Sequence, residues 1–86
     1  MQESEIIAAI QAKVGSTRYG IWTIGITDDP QRRRTEHENN REDTKHWSDW
    51  KADTEAIART VEQYFLDKGM KGGTGGGEHP TYVYVF

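Results

Sequence analysis

The chain has no cysteine, so neither a disulfide framework nor a thiolate zinc site can supplement its core, and nothing calls for an oxidising compartment. No run approaches the ~20 apolar residues needed to span a bilayer, and no basic-then-apolar leader opens the sequence. The expectation is a cytoplasmic protein with no membrane association. Positive charge is also in deficit. A net charge of −3 argues against a broad nucleic-acid surface, because non-specific binding rests on neutralising many phosphates with Lys and Arg. Local charge differs from the total: Arg32, Arg33, Arg34 and Arg41 gather on one segment, while acidic residues are spread over the rest.

What is present fits one domain spanning residues 1–86. At this size a chain buries about 60% of its extended surface, which allows one small core. Residues 4–14 read as an amphipathic helix, with Ile6, Ile7, Ile10 and Val14 at helical spacing, Ser4 as cap and Gly15 as stop. Its Glu3, Glu5, Gln11 and Lys13 form a solvated face. Residues 19–27 read as a strand, weakened at Gly20 and Gly25, where a bulge or a close approach is expected.

Asp28-Asp29-Pro30 stops that strand and starts a helix. Pro30 suits the first helical position, and Asp29 before it can accept from an unpaired helical N–H. The helix should fade near Asn39 and Asn40. It has no large apolar residue, so something outside must hold it. It is either a surface helix tied by an Arg32 to Glu36 pair or a cationic wall facing an anion. Residues 46–52 read as a second strand, with Trp47 and Trp50 as core or edge packing rather than base-stacking platforms.

The helix over residues 55–68 carries Ala56, Ile57, Val61, Phe65 and Leu66 near one stripe, with Glu62 at its margin and Gly69 as stop. Residues 69–79 are glycine-dense. They make neither a P-loop nor a dinucleotide fingerprint, because no helix follows, and read as a flexible linker. Residues 81–86 alternate as a strand, placing Tyr82, Tyr84 and Phe86 on one face. The fold expected is α+β, in the order α-β-α-β-α-β, with a mainly antiparallel three-stranded sheet packed by helices.

Within this reading, Thr23-Ile24-Gly25 leads through a turn to Arg33 and His37, four apart on one helix face. That stretch resembles the second half of the GIY-YIG nuclease signature, a Tyr-Ile-Gly strand followed by a helix with Arg-x-x-x-His. The helix containing Glu62 is similar to the family's later helix, so the resemblance covers residues 20–69. Thr23 replaces the tyrosine of YIG, no Gly-Ile-Tyr strand precedes it, and no late asparagine follows Glu62. By this comparison Tyr82-Val83-Tyr84 supplies the missing strand in circularly permuted order, with Tyr84 standing for the family's first tyrosine.

The resemblance implies a divalent-metal-dependent endonuclease. Arg33, His37 and Tyr84 would be catalytic, Glu62 would hold Mg²⁺ or Mn²⁺, and Arg32, Arg33 and Arg34 would contact nucleic acid. Such residue types suit phosphodiester hydrolysis, and one carboxylate can hold Mg²⁺ because that ion keeps most of its waters. A zinc hydrolase does not fit, since His37, His46 and His79 share no ligand spacing. Two other classes remain open: a catalytically inactive nucleic-acid or phosphate-binding module on the same fold, and a protein-interaction domain using its tryptophans.

Overall fold

The computed structural model describes residues 1–72 and 77–86. Helix α1 (Glu3–Val14) leads into a single 3-10 turn at Tyr19–Ile21 and strand β1 (Thr23–Thr27). Then come α2 (Pro30–Asn39), β2 (Ser48–Lys51), α3 (Glu55–Asp67), a two-residue β3 (Lys71–Gly72) and β4 (Tyr82–Val85). The sheet order is β2-β4-β1-β3, with β4 antiparallel to both neighbours and β1 parallel to β3.

The fold is therefore α+β as expected, but among the described residues its sheet has four strands rather than three, and one parallel pair makes an otherwise antiparallel sheet mixed. The difference lies in Lys71–Gly72, placed by sequence in the glycine linker. Lys71 N–H bonds the Trp22 carbonyl at 2.9 Å, so a short parallel edge forms where α3 returns the chain to β1. Residues 73–76, the rest of the linker expectation, lie outside the described residues.

Two further boundaries move. Residues 19–21 are not strand, because Ile21 and Trp22 bond back to the carbonyls of Arg18 and Tyr19. Ser4 is inside α1 and not its cap. Gln2 holds that position, and its N–H bonds the Glu5 carboxylate at 2.8 Å.

The period of two divides the sheet cleanly. Ile24, Ile26, Val83 and Val85 face α1 and α3, where they join Ile6, Ile10, Val14, Ala58, Val61 and Phe65 in the core. The opposite face carries Gly25 and Tyr84, paired in register, and is covered by α2. Helix α2 does this with no apolar stripe. Asp29 caps its first turn through Arg32 N–H, at 3.1 Å, behind Pro30. Arg32 pairs with Asp28 at 2.7 Å, not with Glu36, and Arg34 donates to the Thr44 carbonyl at 3.2 Å. The partner of Glu36 is Arg33, at 3.1 Å.

Candidate functional site

On the α2 face of the sheet, two side chains of one helix and one from a strand far along the sequence meet at one oxygen. Tyr84, from the interior strand β4, lies across β1 above Gly25, where a β-carbon would collide with its ring and hydroxyl. Glycine at 25 is thus a requirement of space, and it lets the phenol reach α2. Arg33 Nε donates to the Tyr84 hydroxyl at 3.3 Å, and His37 Nε2 lies 2.8 Å from the same oxygen. Trp47 stacks on the Tyr84 ring, with centroids 4.4 Å apart and planes at 9°.

Proton placement follows from the partners. The Glu42 carboxylate, which at neutral pH can only accept, bonds His37 Nδ1, so that nitrogen carries the hydrogen. In the neutral ring Nε2 is then the acceptor, and the Tyr84 O–H donates to it while receiving the Arg33 N–H. A continuous line Arg33, Tyr84, His37, Glu42 results. Burial pushes the Tyr84 phenol up and Arg33 pulls it down, while Glu62 and Glu42 are near enough to add to the upward shift.

Glu42 is the member that sequence reading missed. It reaches back because α2 ends in a Schellman turn: Glu42 N–H bonds the His37 carbonyl at 3.1 Å, and Arg41 N–H bonds that of Glu38 at 3.0 Å. Arg41 takes the left-handed conformation, φ 64°, where glycine is usual. A non-glycine residue there costs roughly 1 kcal/mol. Arg41→Gly is expected to raise stability by about 0.5–1 kcal/mol, read as a small increase in the denaturation midpoint; a fall would mean that the Arg41 side chain itself supports the turn. The available signal was Asn39-Asn40, a helix end, but nothing local shows where the next carboxylate points.

Glu62 is placed differently from the other site residues. Its helix packs on the apolar face of the sheet, opposite α2, and its side chain is half-buried at the margin of that core. It makes no hydrogen bond or ion pair among the described residues, and burial pushes its carboxyl up against the pull of Arg59. Among the described residues no three His, Asp or Glu side chains group as metal ligands, so Glu62 belongs to no such set. Of the arginines, Arg32 and Arg34 are exposed and tied to Asp28 and Thr44, whereas the Arg33 side chain is only 14% exposed. No helix among the described residues is long and apolar enough to cross a membrane. No protein family matches this chain, and neither a curated protein nor a solved structure is matched.

Proposed function

We propose that this is a small divalent-metal-dependent nuclease of the GIY-YIG type, with its first signature strand moved to the end of the sequence. The observation that carries the reading is the meeting of Tyr84 with both Arg33 and His37 across a β1–β4 pair in which Gly25 faces Tyr84. An isolated resemblance over residues 23–37 gives no reason for residue 84 to arrive there.

In this reading Arg33 grips a phosphate oxygen and holds charge that develops on it. His37, oriented by Glu42, is placed to take the Tyr84 proton, and the phenolate would serve as the base toward water once a bound cation together with Arg33 offsets the upward shift that burial gives the phenol. Glu62 fits a Mg²⁺ or Mn²⁺ ion, because a partly desolvated carboxylate without a partner gains most from a cation. The ion would supply charge neutralisation at the phosphate and its leaving oxygen.

The test joins binding to cleavage. Manganese added to the ¹⁵N-labelled protein is expected to broaden resonances around Glu62, and a labelled oligonucleotide is expected to be cut only with metal. Glu62→Gln should abolish cutting. Because the folded state raises the Glu62 carboxyl, stability falls as pH rises through the window above the unfolded value. The same substitution should therefore leave the protein as stable or more stable at neutral pH. Arg33→Ala should weaken both binding and turnover, whereas Arg34→Ala, about 100° further around the helix, should matter less. Equal losses would indicate a diffuse basic surface.

A phosphate-binding module without cleavage is the second reading. It is favoured by the complete burial of Tyr84, whose hydroxyl already has two partners. Oligonucleotide binding that depends on Arg33 but shows no cutting with either metal would select it.

A further inference from the structure

Beside the Tyr84 cluster is a cleft of about 400 Å³, lined by Asp29, Gln31, Arg34, Trp47, Asp49 and Tyr82. Its chemistry differs from that of the phosphate site. Two aromatic side chains share it with two carboxylates; among the described lining residues the cation is Arg34, already engaged with the Thr44 carbonyl, and Lys51 Nζ lies over the Tyr82 ring, 5.8 Å from its centroid. Phosphate would be repelled here. A flat ring with N–H groups on its edge would not be.

The walls are built before any ligand arrives. Trp47 is held by its stack on Tyr84, and its indole N–H donates to Asp49 Oδ2 at 2.8 Å. That bond fixes the carboxylate and leaves Oδ1 with no partner among the described residues. Asp29 likewise commits Oδ1 to the α2 cap and leaves its other oxygen. Tyr82 and Tyr84 are two residues apart on one strand face, about 7 Å. One nucleotide can bridge that distance from base to phosphate.

We infer that this cleft is a nucleobase subsite that stacks one unpaired guanine against Trp47 and Tyr82 and reads its Watson–Crick edge through Asp49. The inference rests on the nucleic-acid reading above. Guanine follows from donor count. Its N1–H and N2–H₂ present two adjacent donors to one carboxylate, one to Asp49 Oδ1 and one to the second lone pair of the Oδ2 that already accepts from Trp47, while adenine and cytosine each offer a single amino group and uracil one N–H between two acceptors. Bases outside a duplex are commonly read by stacking with edge hydrogen bonds.

The test uses the four ribonucleoside 5′-monophosphates, with inorganic phosphate as control, titrated into the ¹⁵N-labelled protein. Guanosine monophosphate should bind at least about tenfold tighter than the other three and shift the Trp47 indole N–H and the Asp49 and Tyr82 amides. Asp49→Asn should remove most of that preference while leaving inorganic phosphate binding unchanged. Four equal affinities, with shifts confined to the Arg33 and His37 region, would overturn the subsite and leave the phosphate site standing. Guanine-selective shifts at Trp47 from a protein that never cuts an oligonucleotide would support the subsite and defeat the nuclease reading.

Discussion

Deleting residues 81–86 is expected to abolish cooperative unfolding of the whole domain, although only one end of the chain is removed. Strand β4 lies between β2 and β1, so its loss strips hydrogen-bond partners from both neighbours at once. Val83, Tyr84 and Val85 are fully buried. At roughly 1.5–3 kcal/mol for each large apolar side chain, their removal rivals the 5–15 kcal/mol that holds a typical domain together. Helix α2 loses its anchor too, because Arg33 and His37 both bond Tyr84. Circular dichroism melting should show a broad, non-cooperative loss of signal. A truncated chain melting near the parent midpoint would refute this account of the sheet and remove Tyr84 from the proposed chemistry.

Gly25→Ala should be nearly as disruptive, although it adds one methyl group. The new β-carbon would sit within the Tyr84 ring and hydroxyl, and Tyr84 is held on its far side by the Trp47 stack. Relief requires Tyr84 to swing away, giving up its bonds to Arg33 and His37. Overpacking at about 1–3 kcal/mol, with two lost hydrogen bonds at about 1 kcal/mol each, gives roughly 3–5 kcal/mol. In a chain of this size that lowers the melting temperature by about 12–40 °C. The cause can be isolated by a double-mutant cycle. In a Tyr84→Val background the Gly25→Ala change should cost little, and additive losses would show that the clash is not with Tyr84.

The three helices were legible because their signals are local. The Asp29-Pro30 start, the Gly15 and Gly69 stops and the apolar period of α3 each act within a few residues, and the observed helices agree with them to within about two positions. The alternation of Thr-Tyr-Val-Tyr-Val-Phe likewise fixed which side chains of β4 share a face. The grouping of Arg33, His37 and Tyr84 came from the resemblance to the GIY-YIG signature and its permuted reading, not from this alternation.

Other features depended on partners far along the chain. Residues 19–21 have strand-forming composition, yet they close a 3-10 turn ahead of β1. Lys71–Gly72 has little strand character and pairs only because α3 delivers it beside β1. Nothing near Glu42 foretells its bond to His37, which depends on the left-handed backbone at Arg41. Sequence period sets the direction in which a side chain leaves its own backbone. Which group it meets is set by packing among elements dozens of residues apart, and in this protein that packing puts the Tyr84 hydroxyl between Arg33 and His37.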